Sequence, residues 1–312
     1  MMAISGGGLP AGGAISGAKN VTRPVSSSLM LKSVALGQKG ESNMVLRRTC
    51  TALALAALVV FALTKASAEI VKPFLIALIA LAHLEYSQIV AKRYPVLVWP
   101  GVLAGVIFMV SKFYFYDGAF QLLFFILAVL SLFHAPRGNI GARQTLLTFA
   151  VTALGFVYLP VMLSYLVQLA TLPSPVGVEL FWLLYVISIV KISDMGGFAF
   201  GLGSAKLFGG NHKMCPLISP NKSWEGMLGS IVGSCIVSFS LISITGFGIV
   251  KSLLFALTAA IAGTLGDLVE SGIKRECGAK DSATFMPAGM GGFLDILDSL
   301  VFVPAIFYSL LK

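Results

Sequence analysis

Charge is scarce in this sequence. Only 11% of its 312 residues are charged while 57% are hydrophobic, well above the roughly 45–50% apolar share of a soluble domain. That balance excludes an ordinary soluble globule and leaves a polytopic membrane protein. Cysteine is sparse too: Cys50, Cys215, Cys235 and Cys277 are scattered without Cys-x-x-Cys spacing, which argues against a disulfide framework and against a zinc site. Acids are fewer than bases, 13 against 22, yet no basic patch is interleaved with aromatics. The excess therefore reads as membrane orientation or attraction to anionic lipid, not as nucleic-acid binding. No repeat period marks an inverted-repeat transporter.

Residues 1–42 differ in kind. They are rich in Gly, Ser and Ala, lack an acid until Glu41 and carry Lys19, Arg23, Lys32 and Lys39. An organelle transit peptide has such a composition, and so does a flexible cytosolic tail upstream of a start at Met44; on either reading the segment is expected to be disordered. A transit peptide implies a plastid or mitochondrial inner membrane, and its absence a bacterial plasma membrane.

Apolar runs of membrane-span length then follow near 48–64, 73–90, 96–111, 114–134, 145–171, 178–200, 227–245, 252–272 and 293–311. The expectation is an all-α integral membrane protein of about nine transmembrane helices with its N-terminus inside. Its inside loops then hold Arg47, Arg48, Lys92, Arg93, Arg137, Arg143, Lys206, Lys213, Lys222, Lys274, Arg275 and Lys280, against Lys65, Lys72, Lys112, Lys251 and Lys312 outside. Residues 43–144 read as scaffold, where His83, Glu85 and Gln88 suit an interhelical contact or a helix end near the surface, and His134, near Pro136, ends a span. Residues 145–312 carry the chemistry.

Two stretches hold it. From Gly263 to Asp298, acids and bases crowd between two apolar runs. A carboxylate deep in a bilayer is costly unless it meets a partner or a cation, so intramembrane acids are functional candidates. Asp267 lies inside one run, and Asp295 and Asp298 open the next, three residues apart and so on one helix face. Three carboxylates from two helices describe an oxygen-ligand site for a divalent metal. From Lys191 to Gly229, Asp194 lies in an apolar helix among Gly196, Gly197, Gly201 and Gly203. A loop follows in which Lys206, His212, Lys213 and Lys222 gather near Ser219, Asn221, Ser223 and Glu225. Small residues let helices approach closely, and a basic, hydroxyl-rich loop beside carboxylates suits a polyphosphate held through metal and lysine together. Those lysines equally suit a plain marker of the inner face.

These residues carry a resemblance. Ser193-Asp194, then Ser219-Pro220-Asn221-Lys222-Ser223-Trp224-Glu225-Gly226, then Gly266-Asp267, Ser271-Gly272-Ile273-Lys274-Arg275, Lys280-Asp281, Pro287, Gly291-Gly292, Asp295 and Asp298 resemble, in order, the phosphatidate cytidylyltransferase (CDP-diacylglycerol synthase) family over about residues 145–310. The resemblance implies a multi-helix membrane enzyme, typically a homodimer, that turns CTP and phosphatidic acid into CDP-diacylglycerol and diphosphate. It implies magnesium, with a second cation left open, on Asp267, Asp295 and Asp298. It further implies that Lys274, Arg275, Lys280 and Asp281 organise phosphates, and that Asp194, Ser219, Asn221, Lys222, Trp224 and Glu225 belong to the substrate pocket.

The chain departs from the family pattern once. Where the family has Pro-x-His-Gly-Gly and then Asp-Arg-x-x-Asp or a close variant, this sequence has one inserted residue, Met290 for the histidine, and Asp295-Ile296-Leu297-Asp298 with Ile296 for the arginine. Methionine neither donates a hydrogen bond nor carries a proton. Losing a charge-assisted phosphate contact costs roughly 1.5–3 kcal/mol, which lowers activity unless another residue, such as His212, substitutes. The rival readings are a CTP-dependent lipid kinase, a cytidylyltransferase for another lipid, and a non-catalytic protein or ion transporter. The kinase needs a base to activate an alcohol, and no candidate stands out. A transporter needs polar residues strung across the membrane, whereas here they gather at the inner ends of the spans.

Overall fold

The computed structural model describes residues 64–115, 119–134, 141–279 and 292–312, all within one compact unit. Residues 1–42, Lys280, Asp281, Pro287, Met290 and Gly291 lie outside the described residues, and the first expected span, near 48–64, ends where they begin. The apolar runs fold as helices because a bilayer offers the backbone no other partner than itself. In chain order they are α1 (Ala68–Val90), α2 (Val98–Val110), α3 (Ala119–His134), α4 (Gly141–Phe156), α5 (Met162–Leu169), α6 (Phe181–Phe208), α7 (Trp224–Ser240), the short α8 (Ile242–Thr245), α9 (Ile249–Glu276), α10 (Phe293–Leu297) and α11 (Val303–Leu311). Between α4 and α5 the chain runs on through a π turn, Val157–Val161, around Pro160, whose missing N–H breaks the regular ladder. Among the described residues, four stretches are long and apolar enough to cross a membrane, Ala142–Leu169, Phe181–Leu207, Ile249–Glu276 and Phe293–Leu311; Val98–Tyr114 and Ala119–Phe133 are apolar but shorter. The protein is an integral membrane protein, mostly helical.

Two features differ from the sequence expectation. The loop after α6 folds into an antiparallel hairpin, β1 (Lys213–Cys215) and β2 (Ser219–Ser223), with Lys213 opposite Ser223 and Cys215 opposite Ser219. Its cause is local: Cys215 precedes Pro216 and Ser219 precedes Pro220, and a residue before proline is pushed into extended backbone. Lys206, Lys274 and Arg275, expected in loops, instead ride the last turns of α6 and α9, where cations oppose the negative helix end. Gly209 at the end of α6 takes a left-handed conformation (φ 72°), as does Gly278 just past α9 (φ 68°), a common way to stop a helix.

Close backbone contact holds the site's helices together. A Cβ on Gly196 of α6 would sit 2.4 Å from the carbonyl oxygen of Gly229 in α7, and one on Gly266 of α9 would sit 2.2 Å from that of Asp298. Within a membrane such contacts replace the hydrophobic force as the reason helices associate. Two to four turns away from the acids, Tyr185 of α6, Phe255 of α9 and Phe307 of α11 form an aromatic cluster with Phe247. Phe255 and Phe307 meet edge to face with centroids 4.5 Å apart. This cluster fixes the far ends of the three helices, so their polar ends meet in a defined register.

Candidate functional site

Helical spacing delivers the polar groups to one place. On α6, Lys191 and Asp194 are three residues apart, and on α9 so are Thr264 and Asp267; each pair shares a face. With Asp295 of α10, Asp298 of the following 3-10 turn, and Ser219, Asn221 and Lys222 of β2, they line a cavity of about 340 Å³. Lys222 pairs with one oxygen of Asp267, while the other, Oδ1, is buried with no hydrogen-bond partner among the described residues. Lys191 donates to Ser299 Oγ (3.0 Å) and to the carbonyl of Ile296 (3.1 Å), and lies 3.6 Å from Asp194. Lys274, largely buried, bridges Glu270 and Asp295 at 2.8 Å each.

The segment carrying Asp295 and Asp298 is braced from several sides. Asp295 Oδ2 accepts the Gly292 N–H at 2.7 Å and so caps α10. Asp298 Oδ1 accepts the Ser299 N–H at 2.6 Å. The buried Glu85 of α1 accepts the Leu294 N–H at 2.9 Å, so a residue of the N-terminal region holds the start of α10. Interhelical contact is the role expected for Glu85, and this bond is such a contact. The missing side chain of Gly266 then lets α9 lie against the Asp298 backbone, which brings Asp267 and Asp298 to the same cavity.

Of the residues singled out in the sequence, Asp194, Ser219, Asn221, Lys222, Asp267, Asp295 and Asp298 line this cavity. Lys274 reaches it through Asp295, and Lys274 and Arg275 line an adjoining hollow with Ser219, Asn221 and Ser271. Lys280 and Asp281 lie outside the described residues. Trp224 and Glu225 do not line the cavity. Trp224 is 58% exposed, and Glu225 turns toward His212, whose Nδ1 lies 2.7 Å from Oε1 and whose backbone N–H donates to both carboxylate oxygens. These bonds hold the Glu225 carboxyl at about 2, well below its ordinary range, the ring contact first and the backbone N–H next. The pair pins the start of the hairpin to α7, whose first turn is capped by Ser223 Oγ accepting the Gly226 N–H. Lys191, which lines the cavity, and Glu270 and Ser299, which bond to Lys274 and Lys191 respectively, are neighbours of the site that the sequence reading did not assign. The signal for two of them was present: Lys191 stands three residues before Asp194, and Glu270 four before Lys274, both ion-pair spacings.

Does the donor set fit a divalent cation? Among the described residues no three His, Cys, Asp or Glu side chains stand close enough to form a ready metal site. The cavity nevertheless offers hard carboxylate oxygens, one of them the orphaned Asp267 Oδ1. Magnesium commonly binds through one or two carboxylates and completes its shell with substrate phosphate and water. The residues fit that incomplete kind of site, not a closed protein cage.

Known proteins share sequence with this chain. A phosphatidate cytidylyltransferase of Staphylococcus haemolyticus is 43% identical over 126 residues, 40% of this chain and 46% of that protein. One from Staphylococcus aureus is 42% identical over the same shares, and one from Mycobacterium bovis is 42% identical over 127 residues, 38% of each chain. Each match thus spans less than half the length of the relative. The cytidylyltransferase family model covers residues 46–312, and the chain belongs to that family.

Proposed function

We propose that the protein transfers the cytidylyl group of CTP to phosphatidic acid, forming CDP-diacylglycerol and releasing diphosphate. The observation that carries this reading is the convergence of Asp194, Lys222, Asp267, Asp295 and Asp298, from separate stretches of sequence, on one cavity. A phosphate oxygen of the lipid attacks the α-phosphorus of CTP, and the bond to the β-phosphate bridge oxygen breaks as diphosphate leaves. Both reactants are anions, so the site must supply positive charge at the displacement. Lys222 of β2 and Lys191 of α6 both line the cavity and supply part of it. Lys274 and Arg275 supply more from the adjoining hollow, with Lys280 and Asp281 assigned to the phosphates by the family pattern.

Asp267 and Asp298 are the residues we assign to magnesium, which when bound neutralises charge on the transferring phosphates. Asp295, the third acid of the set, is held by Lys274 and Gly292 and joins on releasing Lys274. A second cation is accommodated on the same terms.

The finer topology belongs to this reading: nine spans, N-terminus inside, and a homodimer. Contacts between segments assigned to the same side support the spans. Arg93 donates to the Glu276 carbonyl at 2.8 Å, joining two inside segments, and Glu179 accepts the Ala68 N–H at 2.9 Å, joining two outside ones. The membrane is an organelle inner membrane if residues 1–42 act as a transit peptide, and a bacterial plasma membrane otherwise.

The test is radiolabelled CTP with detergent-purified protein, with phosphatidic acid present or omitted and magnesium or chelator added. A CDP-lipid that requires both lipid and magnesium is expected. Absence of product from folded protein would overturn the assignment.

A further inference from the structure

Two further hollows lie next to the acid-lined cavity and share lining residues in series. The first, about 210 Å³, shares Ser219 and Asn221 with it and adds Ser271, Lys274 and Arg275. The second, about 460 Å³, shares Ile218 with the first and is lined almost wholly by apolar side chains, among them Val151, Leu154, Leu265, Leu268 and Val269. Helix α9 divides its faces between them. Leu265, Leu268, Val269 and Ile273 turn to the apolar groove, while Ser271, Lys274 and Arg275 turn to the basic hollow.

We propose that the groove seats one acyl chain of a lipid whose phosphate lies in the basic hollow, between the groove and the acids. This rests on the cytidylyl transfer proposed above and names where its lipid substrate sits. The occupant follows from the adjacency of the two surfaces across Ile218, since a groove almost without polar atoms takes hydrocarbon and the hollow beside it takes an anion. Arg275 is exposed and ion-pairs with none of the described residues, which leaves its planar fork for a phosphate.

The axis agrees with a membrane. The groove runs along α9 from Leu265 to Glu276, about 16 Å of helix. At the Glu276 end it meets polar groups, with the Tyr94 hydroxyl 2.5 Å and Arg93 3.3 Å from the Glu276 carboxylate. The Leu265 end lies deeper in the membrane-crossing stretch. The headgroup thus stays at the polar rim while the chain points inward. Beside Ile218, which lines both hollow and groove, Gly272 of the groove wall leaves room for a Cβ, which would meet only Ile218, at 3.8 Å.

The test uses the full-length protein in lipid nanodiscs and a phosphatidic acid carrying a diazirine near the end of one acyl chain. Irradiation is expected to label peptides from α9 and α4, the two walls that hold Val269 and Leu154. Val269→Trp and Leu154→Trp fill the groove from opposite sides at positions that are 40% and 53% exposed. Each is expected to cut labelling at least fivefold and to lower the preference for long-chain over short-chain phosphatidic acid in kcat/KM by about tenfold. Labelling elsewhere, or labelling unchanged in both variants, overturns the proposal. So does equal competition by diacylglycerol, which lacks the phosphate. Intact groove labelling without any CDP-lipid product would instead overturn the cytidylyl transfer and leave the lipid seat standing.

Discussion

Lys274 sits where two acids meet. Its ammonium lies 2.8 Å from both Glu270 and Asp295, and Glu270 is almost fully buried. Removing one member of a buried ion network leaves the others uncompensated and costs about 3–5 kcal/mol. Lys274→Met is therefore expected to lower the thermal midpoint markedly, and adding Glu270→Gln to restore part of it; equal midpoints for the single and double variants would show that Glu270 is not the group left uncompensated. Asp267 has a different position, with one oxygen on Lys222 and the other without a partner among the described residues. Asp267→Asn is expected to cut magnesium-dependent turnover at least about 100-fold, the equivalent of roughly 2.7 kcal/mol, with little change in the midpoint. Asp295→Asn is expected to lose turnover and stability together, because Asp295 also caps α10. Measuring rate and thermal midpoint on both variants separates the two roles.

At the scale of elements, the site depends on how closely its helices approach. Gly266→Ala places a methyl group 2.2 Å from the Asp298 carbonyl oxygen, which pushes α9 away from the segment that carries Asp298. Gly203 on α6 has open space where a Cβ would stand, with no heavy atom within 4 Å; there alanine is expected to stabilise by about 0.5–1 kcal/mol, the ordinary helix gain over glycine. Thermal midpoints of the two variants should move in opposite directions. The hairpin is anchored differently, by His212 on Glu225. Because the folded carboxyl is depressed from its ordinary 4.5 to about 2, its contribution is fully present above about pH 4.5 and is lost as pH falls toward about 2. Fluorescence of Trp224, whose backbone N–H donates to the His212 carbonyl, is expected to change within that window, and Glu225→Gln to abolish the change.

For the molecule as a whole, legibility followed the range of the forces involved. A bilayer fixes the length of a span, so the runs around α4, α6, α9 and α11 were readable, and a charge inside such a run stands out, which exposed Asp194 and Asp267. Pairings made far along the chain leave no local trace: Glu85 holds the Leu294 N–H from 209 residues away. Trp224 and Glu225 belong to a recognisable motif, yet helix geometry at the start of α7 turns them from the cavity that Lys222, two residues before Trp224, lines. The same far contacts now make the topology testable. A nine-span chain places Arg93 and Glu276 together on one face of the membrane, and Ala68 and Glu179 together on the other. In the proposed nine-span arrangement Leu217, at the hairpin turn and 95% exposed, falls on the cytosolic side, and Val176, 46% exposed between α5 and α6, on the opposite side. In a background without native cysteine, and in sealed vesicles with the cytosolic face outward, Leu217→Cys is expected to react with a membrane-impermeant maleimide, and Val176→Cys to react only after permeabilisation. Reaction of both from one side would require an even number of crossings between α5 and the hairpin, and with it a different face of the membrane for CTP.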